Sequence, residues 1–168
     1  MRWKKNYDQA LESYQEALRY LKETLGKDHM EVIQITESMG CIYEETREHS
    51  EAMDAFREVL RVKRITLGAT NMSITPLLVK IARLYRNQEN YDKAIETYTE
   101  IFYIKQNHLG MRHISVAATS QSIGICYRLK GDHENALKYL QKALTLYREE
   151  LGKNHVSVTR VLDEIGES

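Results

Sequence analysis

The sequence predicts an all-α solenoid, and three observations carry that expectation. Four copies of one unit stand 42 residues apart, marked by Ala10, Ala52, Ala94 and Ala136 and by the pairs Leu25-Gly26, Leu67-Gly68, Leu109-Gly110 and Leu151-Gly152. One Pro and eight Gly in 168 residues, half of those Gly in the Leu-Gly pairs, leave few helix breakers. Within the units, apolar residues recur at spacings of three and four, as on an amphipathic helix. A unit of this size cannot bury its own apolar face and stacks on its neighbours, which yields a binding surface rather than a catalytic pocket.

The elements follow in chain order. In the 42-residue register Met1 stands where another copy has Tyr85, so the chain opens in the last turn of a first helix. An intact second helix is then expected from about Tyr7 to Leu25, a half unit over residues 1–25. Full units are expected over about 29–67, 71–109 and 113–151, with a partial unit over 155–168, all in one domain of residues 1–168. In the third copy, Ile74, Leu77, Leu78, Ile81, Ala82, Leu84 and Tyr85 stripe a first helix, and Ala94, Ile95, Tyr98, Ile101 and Phe102 stripe a second. Each Leu-Gly is read as a stop, the Gly taking the left-handed conformation and the Leu supplying an apolar contact. His29, Asn71, His113 and His155, three residues past each Gly, mark the next helix start. Pro76 lies about one turn into its helix, so a late start is expected there, with Thr75 as cap and Pro76 as first residue, or a local kink. In the last copy Val156, Val158, Val161, Leu162 and Ile165 begin a first helix.

Small and large residues are paired at fixed places. Gly40 and Tyr43, Ala82 and Tyr85, and Gly124 and Tyr127 sit in first helices, where the small residue admits a close neighbour and the ring fills the space beside it. Second helices carry Ala10-x3-Tyr14-x2-Ala17, Ala52-x3-Phe56-x2-Val59, Ala94-x3-Tyr98-x2-Ile101 and Ala136-x3-Leu140-x2-Ala143. These residues resemble the tetratricopeptide repeat, with Gly-x2-Tyr in its first helix and Ala-x3-Phe in its second. The family's Trp is replaced by Thr36, Leu78 and Ser120, and its Pro at the end of the second helix is absent. The longer unit, closing on Leu-Gly-x-x-His, resembles the 42-residue version of kinesin light chains, as does the turn Arg86-Asn87-Gln88-Glu89-Asn90-Tyr91. That resemblance implies a right-handed superhelix of antiparallel helix pairs, about eight helices in all.

Composition excludes several functions. Twenty-four Lys and Arg balance twenty-four Asp and Glu, so no overall field draws the chain to nucleic acid. The start shows no signal region and no apolar run of about 18 residues spans a membrane, so a cytoplasmic protein is expected. Cys41 and Cys126 fit neither a zinc motif nor a redox dithiol and read as reduced small hydrophobes. His29, His113 and His155 recur once per repeat at the same turn, about a helix diameter apart, and cannot converge on one metal. His49 and His133 read as solvated turn residues between paired helices. No nucleophile motif or phosphate loop occurs, so neither an enzyme nor a cofactor is expected.

In tetratricopeptide solenoids the first helices line a concave face, made of residues off the packing stripe. Here that face comprises Gln34, Glu37, Ser38, Cys41, Glu44 and Glu45, then Val79, Lys80, Arg83, Arg86 and Asn87. It continues through Ala118, Gln121, Ser122, Ile125, Arg128 and Leu129 to Arg160, Asp163, Glu164 and Glu167. Sorted this way, a neutral chain has a basic middle of Lys80, Arg83, Arg86 and Arg128, with acidic flanks and an apolar floor of Val79, Ile125 and Leu129. Arg suits paired hydrogen bonds to carboxylates, and Asn87 matches a kinesin light chain residue that bonds a peptide backbone. The resemblance implies an interaction module for an acidic peptide with an apolar anchor. The alternatives are charges that merely solvate the helices, and a structural element held in an assembly, or self-associated, through the solenoid ends.

Overall fold

The computed structural model describes residues 2–167, with side chains from Asn6 onward. Eight helices and one short 3-10 turn account for the described chain: α1 Arg2–Leu25, α2 Met30–Thr46, α3 His49–Leu67, the turn Met72–Ile74, α4 Thr75–Asn87, α5 Tyr91–Leu109, α6 Ile114–Lys130, α7 His133–Leu151 and α8 Val156–Gly166. The chain divides into two compact units within α4, after Leu77. In the first, α2 packs on both α1 and α3. In the second, α6 packs between α5 and α7, and α8 lies against α7.

The repeat dictates where the chain turns. First helices α2 and α6 start one residue after His29 and His113, whose Nδ1 atoms accept from the backbone N–H groups of Glu31 and Ser115. His155 does the same for Ser157 ahead of α8. An imidazole here replaces the more usual Ser or Asp cap and meets a donor the helix cannot satisfy internally. Asn71 fills the same place, its Oδ1 accepting from Ser73 N–H at 2.9 Å. The late start expected there is observed, α4 beginning three residues later in the register than α2 and α6, but Thr75 is not its cap. A 3-10 turn bridges Asn71 to α4, and Thr75 is the first residue of α4 rather than its cap. Its N–H and its hydroxyl both donate to the Met72 carbonyl, a carbonyl that the ring nitrogen of Pro76 cannot serve.

Paired helices are joined by a tight reversal at Arg47, Glu89 and Gly131, which all have positive φ (64°, 58° and 87°). The residue after each donates its N–H back to the carbonyl of Tyr43, Tyr85 or Tyr127, closing the first helix with a Schellman-type bond. His49 and His133 are the first residues of α3 and α7 rather than turn residues; His133 is exposed, whereas Nδ1 of His49 is buried without a hydrogen-bond partner. At the register position of these reversals α1 stays helical, so Arg2–Leu25 forms one continuous helix instead of a first-helix end followed by a second helix from Tyr7. Lys5, which holds that position, is a good helix former.

Second helices end at Gly68, Gly110 and Gly152 with φ of 85–94° but ψ of 149–162°. This region is open essentially to Gly alone and is not the left-handed helical conformation expected. The Leu before each Gly was expected to make an apolar contact; Leu151 is half-buried, whereas Leu25, Leu67 and Leu109, each the last residue of its helix, are exposed.

Between paired helices the small-against-large arrangement is observed. A Cβ on Gly40 would lie 2.6 Å from the ring of Phe56, and one on Gly124 would lie 2.7 Å from Cγ of Leu140. Ala52, Ala94 and Ala136 are fully buried, as are Phe56, Val59, Ile101, Leu140 and Ala143.

Candidate functional face on the first helices of the second unit

The nine residues assigned to a ligand all lie in the second unit, on α4 and α6, and none is in the core. The packing stripe takes Leu78, Ile81, Ala82 and Leu84 in α4, and Val116, Ser120, Ile123, Gly124 and Cys126 in α6. The intervening positions are left facing outward. Val79, Lys80 and Arg86 are half-buried, and Arg83 and Asn87 are exposed. On α6, Gln121, Ile125 and Arg128 are half-buried, while Leu129, expected in the apolar floor, is exposed. Arg86 bears on the interior as well. Its positive charge partly offsets the burial that pushes the Cys126 thiol up to about 11 and raises the Tyr98 hydroxyl. Cys126 is thereby kept as an inert thiol in the core.

Arg128 and Gln121 make side-chain contacts to second helices or to the last helix of the unit. Arg128 donates from Nη2 to Glu164 Oε2 of α8 at 2.8 Å and pairs through Nη1 with Glu167, the residue that caps the end of α8, at 3.2 Å. This cation is therefore already matched, and its Nε is buried without a partner. Gln121 accepts a hydrogen bond from the Tyr147 hydroxyl of α7 at 3.3 Å. In the first unit, Glu37 on the corresponding face is paired with Lys63 of α3 at 2.7 Å.

These contacts bring in a side chain that sequence reasoning missed. Lys63, Lys105 and Tyr147 stand 42 apart on second helices, and Lys63 and Tyr147 each reach the residue 26 positions earlier, on a first helix. Lys105 of α5 holds the equivalent place, and its ammonium donates to the Thr119 hydroxyl at 3.1 Å and the Ser115 carbonyl at 3.4 Å, both in the first turns of α6. The signal is the register itself, which gives Lys63, Lys105 and Tyr147 equivalent places on the second helices.

Among the described residues, no group of three or more His, Cys, Asp or Glu is placed to hold a metal ion. Nor is any described helix long and apolar enough to cross a membrane.

The family model described as "Tetratricopeptide repeat" matches residues 1–65, 73–149 and 116–168. No curated protein matches the sequence significantly. Among solved structures, BtubC (BKLC) from P. vanneervenii superposes with a TM-score of 0.78 at 16% identity, over 98% of this chain and 66% of that one. A Podosopora anserina protein of nearly identical TPR-like repeats, described as a kinesin light chain, gives 0.79 at 19% identity, over 98% and 79%. The apo form of RapI gives 0.74 at 18%, over 96% and 56%. The chain thus spans about two thirds of BtubC and just over half of RapI.

Proposed function

The chain belongs to the tetratricopeptide repeat family, whose repeats serve as protein–protein interaction scaffolds, and on that premise we propose that its second unit is a non-catalytic binding module for an acidic peptide. The carrying observation is the outward face of α4 and α6. Lys80, Arg83 and Arg86 stand at helical spacing on α4 with half-buried Val79, and half-buried Ile125 and exposed Leu129 stand outside the core on α6. Cations three residues apart on one helix repel one another by a few tenths of a kcal/mol, which a carboxylate ligand offsets. Val79, Ile125 and Leu129 take an apolar anchor, and Asn87 supplies an amide for the peptide backbone.

The test is titration of a fluorescein-labelled peptide with Glu residues around a Trp, read by fluorescence polarisation. Reversing Arg83 and Arg86 to Glu removes two charge-assisted bonds and adds repulsion, so affinity falls at least about a hundredfold while the helical circular dichroism is kept. Reversal of exposed Lys138 on α7 is the control and changes little. Equal affinity for the parent and the double variant would remove the peptide reading.

A second reading, a structural element of a larger assembly in the cytoplasm, is favoured by α8, where Val156 is 64% and Leu162 is 42% exposed. Ionic strength separates the two, because an Arg-carboxylate contact weakens with added salt and an apolar contact does not.

A further inference from the structure

We infer that Lys105 is the receptor for a ligand carboxylate, a binding residue on a second helix that completes the cationic face of α4 and α6; the inference rests on the peptide reading given above. It starts from a comparison of three equivalent positions. Lys63 is neutralised by Glu37 at 2.7 Å. Tyr147 carries no charge and is met by the amide of Gln121. Lys105 keeps the charge of the first but not its partner: the residue 26 positions earlier is Val79, which offers no acceptor.

The Lys105 ammonium turns instead to α6, where a hydroxyl and a carbonyl give it two neutral acceptors, the carbonyl at a long 3.4 Å. Burial lowers its proton affinity and no neighbouring charge contributes against that effect. A half-buried ammonium without a counter-charge is poorly compensated, since each such ion taken from water needs an opposite charge or a full set of strong acceptors. An incoming carboxylate supplies what Glu37 supplies to Lys63. A peptide lying across Val79 towards Gln121 passes this ammonium, so the middle repeat holds a vacancy for an acidic side chain while the flanking repeats are internally satisfied.

Two variants and two probes test this. Lys105→Met removes the charge and keeps the apolar stem. Val79→Glu places a carboxylate at the register position of Glu37, so that the chain satisfies Lys105 from within. Thermal melts check that both fold, and Val79→Glu is expected to melt no lower than the parent. Both should weaken the fluorescein-labelled Glu- and Trp-containing peptide by about tenfold to a hundredfold, the loss of one charge-assisted bond. Independently, the 13C-dimethylated Lys105 resonance should move on titration with glutarate in the parent and stay still in Val79→Glu. Peptide affinity unchanged in both variants would overturn the role of Lys105 and leave the peptide reading standing. No peptide binding by the parent, with the resonance still moved by glutarate, would sink the peptide reading and uphold Lys105 as a carboxylate site. No binding and no movement would overturn both.

Discussion

At the residue scale the 42-residue repeat is an internal mutation series, because each position is occupied by different side chains in one fold. Arg47, Glu89 and Gly131 share a reversal with positive φ, and only the last is a residue suited to it. A side chain in the left-handed region costs about 1 kcal/mol or more relative to Gly. Arg47→Gly and Glu89→Gly are therefore expected to stabilise the fold by about 1 kcal/mol each and so raise the thermal midpoint, and Gly131→Ala to lower it. Calorimetric melts that move the other way would show that the Arg47 or Glu89 side chain contributes more than its backbone strain costs. The caps make a parallel series. His113 accepts from Ser115 N–H as Asn71 accepts from Ser73 N–H. Removing the acceptor by His113→Ala should cost about 1 kcal/mol, and His113→Asn should be close to neutral. Chemical denaturation of the two variants decides it, and equal losses would mean that the imidazole acts by packing rather than by capping.

At the scale of elements, close approach of paired helices is bought by missing methyl groups. Gly40 faces the Phe56 ring and Gly124 faces Leu140, with Cβ distances of 2.6 and 2.7 Å that no real side chain tolerates. Gly→Ala inside a helix gains about 1 kcal/mol of propensity, while overpacking costs about 1–3 kcal/mol. Packing wins at Gly40, since the fully buried Phe56 ring has nowhere to turn. Gly40→Ala should lose up to about 2 kcal/mol in urea unfolding, and a stabilised variant would show that α2 and α3 can separate at no cost. The helices themselves were legible in the sequence because period, Leu-Gly stops and small-large pairs all repeat. Departures arose where one copy differs from the rest: the 3-10 entry to α4 comes from Thr75 and Pro76, and the unbroken α1 from a Lys where other copies reverse. The ψ of the terminal Gly residues was not legible either, since a Gly in sequence announces a positive φ but does not choose between the two regions open to it.

At the scale of the whole molecule, a net charge of zero hides a sorted distribution, and the sorting was only half visible in the sequence. Which residues leave the packing stripe follows from helical periodicity, so the outward placement of Val79, Lys80, Arg83 and Arg86 was legible. Which partners they meet is decided by distant side chains, through packing that no local pattern encodes: Gln121 meets Tyr147, 26 residues on, and Arg128 meets Glu164 and Glu167, 36 and 39 residues on. The Glu164 and Glu167 carboxylates hold the Arg128 guanidinium as a ligand would, so an acidic peptide reaching this cation must displace them. Partly exposed pairs of this kind are worth about 0.2–1 kcal/mol. Replacing Glu164 and Glu167 by Gln keeps the shape of both side chains and releases the Arg128 charge. Affinity for the Glu- and Trp-containing peptide should then rise by up to about fivefold. Because one more cation is left to meet the peptide, affinity should also fall more steeply with salt than in the parent. Titrations at low and high ionic strength measure both quantities. A double variant that binds as the parent does, with the same salt slope, would place Arg128 off the ligand's path and restrict the binding face to α4 and its immediate neighbours.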